Sequence, residues 1–157
     1  MSTNQLERLM VDLSEASAQY ENMIALASLT DFHTSELIVL SERIEKLERL
    51  GDFVSDRLAF TLDRIGIIKA EISEVVACEG IGDEGKPFKP RFSNETARRA
   101  EIQRRLADHI EYGAYDEAHQ AISKLSRLIT HHVGHLHRLF QIGKRAYEFQ
   151  LLGRRAP

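Results

Sequence analysis

The sequence predicts an all-α protein: a single domain, residues 1–157, folded as an antiparallel helical bundle or elongated coiled-coil hairpin of about four helices. Apolar residues recur at alternating intervals of three and four over most of the chain, which is typical of helices with one buried face. Only three Pro occur, and residues with high helix propensity dominate the composition. No stretch alternates apolar and polar residues as a half-buried strand would, so we expect no β-sheet.

The first predicted helix covers residues 3–27. Met10 and Ile24 widen its apolar stripe, and the Ser/Thr/Asp-rich stretch 28–35 predicts a turn or kink after it. The stripe consists of Leu6, Leu9, Leu13, Ala16, Tyr20, Met23 and Ala27.

The second predicted helix covers residues 34–78 and would be roughly 65 Å long at the α-helical rise per residue. Its heptad-like spacing is typical of a coiled coil. Gly51 and Asp52 could instead end one helix and begin another, but the unbroken register on both sides favours one helix. The stripe consists of Leu37, Leu40, Ile44, Leu47, Gly51, Val54, Leu58, Thr61, Ile65, Ile68, Ile72 and Val75.

The stretch 79–92 contains three Gly and two Pro and has no apolar period, which predicts a loop. A short third helix, 93–112, is expected to begin near Ser93 and end at Gly113. The fourth helix, 114–151, has a stripe that Leu128, Val133 and Phe140 widen. That stripe consists of Tyr115, Ala118, Ile122, Leu125, Ile129, His132, Leu136, Leu139, Gly143, Ala146 and Gln150.

Composition and charge narrow the classes of partner and compartment. The formal net charge of −3 gives no long-range attraction to nucleic acid, so nucleic acid is not an expected partner. A single cysteine, Cys78, excludes an internal disulfide framework and fits a reducing compartment. The N-terminus does not resemble a signal peptide, and no apolar run reaches the ~18 residues that span a bilayer. We therefore expect a cytoplasmic protein with no membrane partner.

Four histidines cluster in the fourth predicted helix, between residues 131 and 137. His131 and His135 are four residues apart and lie roughly 160° and 120° around the helix from Ile129, on its outer face. Such a pair could ligate zinc or another divalent metal, but a specific site needs three or more protein ligands. Further ligands would have to come from elsewhere, from His33, His109 or His119. We expect no other cofactor.

Two further features have a structural and a functional interpretation. His132 falls on the apolar stripe, where a hydrogen-bonded imidazole that sets the helix register is favoured over a pH switch or catalyst. Four arginines make the third helix basic: Arg98, Arg99, Arg104 and Arg105. Aromatic residues that would stack nucleic-acid bases do not interleave with them, so a solvated, ion-paired surface is favoured over a phosphate site.

One segment resembles an enzyme family. Arg57, followed by Ile65-Gly66-Ile67-Ile68-Lys69, is similar to the Arg…Ile-Gly-x-x-Lys pattern of the first helix of all-helical chorismate mutases, and Arg98 would fall on their second helix. That resemblance implies a cationic site for a dianionic substrate. The arginine-to-glycine spacing is one residue longer than in the family, and Arg99 stands where the family has an acid.

The sequence therefore favours a non-catalytic protein-interaction module: an adaptor, a chaperone-like protein or a structural subunit that binds helical partners along its apolar stripes. We expect the partner to be another protein, a second copy of the chain, or both, with a homodimer expected. The alternatives are a small enzyme of the chorismate mutase type and a histidine-based metal-binding bundle.

Overall fold

The computed structural model describes residues 3–25, 34–81, 89–92 and 94–153. The all-α prediction with four helices is confirmed. The loop additionally contains a two-residue antiparallel pair in which Gly80 lies opposite Pro90. The predicted turn at 28–35 falls largely outside the described residues. The elements are α1 Thr3–Ala25, α2 Thr34–Cys78, β1 Gly80–Ile81, β2 Lys89–Pro90, α3 Glu95–Asp108 and α4 Ile110–Gly153.

The chain divides into two compact units. Unit 1 comprises Met1–Arg57 and Ala121–Pro157, and unit 2 comprises Leu58–Gln120. None of the described helices is both long and apolar enough to cross a membrane.

Unit 1 is a bundle of α1 with the first part of α2 and the second part of α4. Asp12 of α1 pairs with Arg57 of α2, and His137 of α4 contacts Glu48 of α2. Gly51 of α2 lies near Ile129 of α4, so α2 and α4 are antiparallel. Residues 9–16 of α1 share a cavity with 53–57 of α2, and residues 12–23 share one with 46–53, so α1 and α2 are antiparallel as well. The buried side chains come from the predicted stripes, with Leu50 added to them: Leu9, Ala16, Tyr20, Leu40, Ile44, Leu47, Leu50, Val54, Ile122, Leu125, Ile129 and Leu136.

Helix α2 continues without a break through Gly51, as the unbroken apolar spacing on both sides of Gly51 predicts. A Cβ built on Gly51 would lie 3.4 Å from Cγ2 of Ile129, so the glycine is where α4 approaches α2 closely. The stripe departs from its prediction near the end of α2, where Val76 is buried and Val75 is 52% exposed. A strict heptad repeat on a straight helix drifts about 20° per heptad. Over the length of α2 that drift accumulates to about one residue position, which accounts for the change.

Unit 2 has α2 and α4 antiparallel, because Lys69 lies over the Tyr112 ring while Thr61 contacts His119. Thr61 is fully buried. Its Oγ1 donates to the carbonyl oxygen of Leu58 at 2.8 Å and lies 3.2 Å from Nδ1 of His119, so a hydrogen-bonded pair replaces an apolar contact at this position of the stripe.

The boundary between α3 and α4 differs from the predicted one. Asn94, rather than Ser93, caps α3 by accepting from Ala97 N at 2.7 Å. Helix α3 ends at Asp108, and α4 begins at Ile110, so Gly113 is inside α4 rather than between two helices. His109 separates them: its N–H donates to Leu106 O, and its Nδ1 accepts from Tyr112 N at 3.1 Å. The imidazole thus caps α4 in the manner of an N-cap side chain.

Candidate functional site

One concave feature of unit 1 is a cleft of about 420 Å³ between α1 and α2. The lining residues of each helix follow helical spacing, because each helix contributes one face to the cleft. The lining residues are Asp12, Glu15, Ala16, Gln19 and Met23 of α1 with Lys46, Arg49, Leu50 and Phe53 of α2. The volume lies within the range of ligand and side-chain pockets.

The floor of this cleft is apolar. Ala16 and Leu50 are buried beneath it, and Phe53 is 37% exposed. A second, much smaller cavity of about 10 Å³ shares Asp12, Ala16 and Phe53 with the cleft and reaches Ile122 of α4. The cleft therefore adjoins the core of unit 1, and Phe53 is a partly exposed part of its wall.

At one end of the cleft, the lining residues Asp12 and Phe53 both contact Arg57. Nε of Arg57 lies 3.0 Å from Oδ2 of Asp12, and the Arg57 guanidinium lies 4.9 Å from the centroid of the Phe53 ring. Cation–π attraction and the ion pair both hold the Arg57 side chain in place, and Arg57 in turn supports Phe53. This end of the cleft is thereby preorganised.

The two rims of the cleft have opposite charge. The α1 rim presents Glu15, because Asp12 is already paired with Arg57, and the α2 rim presents Lys46 and Arg49. Arg49 is ion-paired with Glu45 of its own helix and is 76% exposed, so it is available at the surface. A ligand in the cleft would meet negative charge along one side, positive charge along the other and apolar atoms between them.

The predicted metal residues, His131 and His135, are both exposed and lie on successive turns of α4. The His135 ring packs edge-on to His132, with centroids 6.5 Å apart. Within the described residues, no group of three or more His, Cys, Asp or Glu side chains is placed to hold a metal ion. Across the described part of the chain, the structure therefore places no third ligand beside His131 and His135.

The other histidines have structural contacts of their own. His109 caps α4 and His119 contacts Thr61, while His33 lies outside the described residues. His132 packs edge-on to Tyr20 of α1, and its Nε2 is buried without a hydrogen-bond partner. Burial lowers the pKa of His132, and the nearby His135, Arg43 and His131 lower it further. The sequence favoured a hydrogen-bonded imidazole at this position, but Nε2 of His132 has no hydrogen-bond partner.

The basic surface of α3 is neutralised by acids. Two hydrogen bonds, from Arg104 and Arg105, lower the pKa of Glu101 to about 2. This ion-paired arrangement is the one that the sequence favoured over a phosphate site. The pairs are Arg98 and Arg99 with Glu95, Arg104 with Glu101 and Asp108, and Arg105 with Glu101 and Glu79.

The residues of the chorismate mutase resemblance each have a neighbour within their own unit. In unit 1, Arg57 is paired with Asp12. In unit 2, Lys69 lies over the Tyr112 ring and Arg98 lies 3.9 Å from Glu95. These contacts occupy the three cations in ion pairs and a cation–π contact, so they add no support to a dianion site.

Sequence reasoning missed the cleft altogether. Phe53 is the one signal that could have indicated it, as a large aromatic residue next to, rather than on, the α2 stripe. The charged residues on the rims could not be recognised as functional from the sequence, because exposed charged residues usually serve only to keep a helix surface in contact with water. No protein-family model, curated protein or solved structure matches the chain.

Proposed function

We propose that this chain is a protein-interaction module that binds an amphipathic helix of another protein in the α1/α2 cleft of unit 1. The supporting observation is the combination of an apolar floor with oppositely charged rims. Helix-in-groove recognition uses apolar anchors at i, i+3/i+4 and i+7, which a cleft between two helices accepts.

The charge pattern specifies the partner helix. Its apolar stripe contacts Leu50 and Phe53, its basic flank faces Glu15, and its acidic flank faces the α2 rim. Rim charges of this kind act mainly on specificity and association rate, while the buried anchor contributes most of the affinity. An adaptor or assembly subunit fits this mode of binding.

Photo-crosslinking in cells of the source organism tests the proposal. A photoreactive phenylalanine analogue replaces Phe53 in the full chain, and mass spectrometry identifies the cross-linked peptide. The matched control places the same analogue at Leu62, which is 52% exposed and belongs to unit 2. We expect adducts at position 53 alone, on a segment with one apolar stripe, a basic flank and an acidic flank.

A synthetic peptide of that segment then measures the role of the rim. Lys46→Glu with Arg49→Glu replaces two attractive surface pairs with repulsive ones, which should weaken binding about tenfold in fluorescence anisotropy. Arg127→Glu, an exposed charge reversal on α4, should leave the affinity unchanged. Equal adducts at positions 53 and 62, or an affinity insensitive to the rim reversal, would contradict the proposal.

A further inference from the structure

Helix α4 carries a second stripe beside its core-facing one, which we call the outer stripe; Leu128 and Leu139 lie at the border between the two. The outer stripe consists of Leu128, His131, His135, Leu139, Ile142 and Phe149, spaced three, four, four, three and seven residues apart. Leu128, Ile142 and Phe149 are 44%, 56% and 74% exposed. Apolar residues at this spacing on a solvent-facing helix surface are typical of a face that another helix covers.

Only the two histidines interrupt the apolar character of the outer stripe. They are one turn apart on the same face, the spacing at which two imidazoles can bind one metal ion. Zinc in a closed site takes four protein ligands in a tetrahedron. One chain therefore supplies half of a ligand set, and it does so in the middle of a surface suited to pairing.

We propose that two copies of this chain pair through the outer stripe, parallel and in register, and that His131 and His135 of both copies together ligate one zinc or similar divalent ion. This inference concerns a different face from the α1/α2 cleft and does not rest on it. The histidines are contributed equally by both copies, as in other isologous interfaces.

The parallel orientation follows from which residues would meet. About a two-fold axis along α4, every outer-stripe residue faces its own counterpart, so Leu128, Leu139, Ile142 and Phe149 form apolar layers on either side of the histidines. An antiparallel pairing centred on the histidines would instead place Ile142 opposite Lys124. The parallel arrangement thus places apolar side chains against each other, whereas the antiparallel one places a lysine against an isoleucine.

The metal also explains how two polar layers are tolerated. Imidazoles facing each other in an apolar interface are unfavourable unless their nitrogen atoms find partners. A bound cation provides that partner for all four, while the remaining apolar layers are few for a stable interface. Dimerisation is consequently linked to metal binding, and each should promote the other.

Sedimentation velocity of the full chain tests the proposal, with zinc chloride as the probe and EDTA as the metal-free reference. We expect a monomer in EDTA and a dimer containing one zinc per two chains, measured by elemental analysis. Cobalt chloride should give the intense visible absorption of a tetrahedral site. His131→Ala and His135→Ala should each weaken zinc binding by at least about a hundredfold, because each removes two of the four ligands.

Two further variants separate the metal site from general effects. His137→Ala removes an exposed imidazole two residues from His135 on another face of α4, and it should leave zinc binding and dimerisation unchanged. Ile142→Glu keeps every ligand but charges an apolar layer, and it should weaken the dimer at least about tenfold. All these positions except Ile142 are polar, and all are exposed, so folding is checked simply by circular dichroism.

Four results would overturn the inference. They are a dimer of equal strength in EDTA, a zinc-saturated monomer, zinc affinity unchanged in both His131→Ala and His135→Ala, and loss of zinc binding in His137→Ala.

Discussion

Replacing Gly51 with Ala sets helix propensity against packing at the closest approach of α2 and α4. Ala is about 0.8–1 kcal/mol more favourable than Gly inside a helix. The added methyl would lie 3.4 Å from Cγ2 of Ile129, which is the inner edge of ordinary van der Waals contact. The methyl therefore fits with at most a small adjustment of Ile129, and its partial burial adds a few tenths of a kcal/mol. We expect Gly51→Ala to stabilise unit 1 by about 1 kcal/mol.

Gly66 provides a matched control on the same helix. A Cβ there would meet nothing within 4 Å, so Gly66→Ala isolates the propensity term and should also stabilise by about 1 kcal/mol. Gly51→Leu extends the series. Its longer side chain would overpack against Ile129, and it should destabilise by about 1–3 kcal/mol despite its good helix propensity.

Urea denaturation followed by circular dichroism measures all three variants, and thermal melts should show shifts of about 2–4 °C per kcal/mol. Destabilisation by Gly51→Ala with stabilisation by Gly66→Ala would mean that the two helices approach more closely than described. Stabilisation by Gly51→Leu would mean that α4 does not cover Gly51 at all. Either result would refute the assignment of Gly51 to the helix contact.

Three other predictions concern buried polar groups and one ion pair. Thr61→Val keeps the volume but leaves Nδ1 of His119 without its partner, which should cost about 1–2 kcal/mol; a double-mutant cycle with His119→Leu that shows no coupling would count against the pair. His132→Leu removes a buried, unpartnered nitrogen and should raise or barely change the melting temperature, so a large loss of stability would show an essential polar contact. The pKa of Glu101 is lowered to about 2 from 4.5, so its contribution is present above pH 4.5 and is lost as the pH falls toward 2. Glu101→Gln should therefore be less stable than the parent at neutral pH and equal to it near pH 2, whereas a constant difference down to pH 2 would contradict the lowered pKa.

The helices and their buried faces could be predicted because apolar periodicity is a local property of the chain. The spacing alone placed α2 at 34–78 and identified Leu40, Leu47 and Ile129 as core residues, all of which are buried. Boundaries set by unusual caps could not be found in this way. His109 ends α3 and caps α4, although histidine is not a typical capping residue. Gly113 was predicted to end a helix, but it lies inside α4, where a Cβ at this position would have no neighbour within 4 Å.

The two candidate sites also differ in whether they can be predicted from local sequence. The histidine pair on the outer face of α4 is visible in the sequence because both residues belong to one helix, and helical geometry alone puts them one turn apart. The α1/α2 cleft is not visible, because its floor and rims come from two helices whose relative register is set by packing. The same holds for the contact of Thr61 with His119.

The sequence by itself thus determined the four helices, most of the faces that are buried and the position of His131 and His135 one turn apart on α4. Those features depend on residues within a few turns of each other on one helix. Only the tertiary structure decided which side chains meet between helices: the cleft at Phe53, the close approach at Gly51 and the shift of burial from Val75 to Val76. These depend on helix crossing, register and accumulated twist, and small changes in any of them bring different residues together.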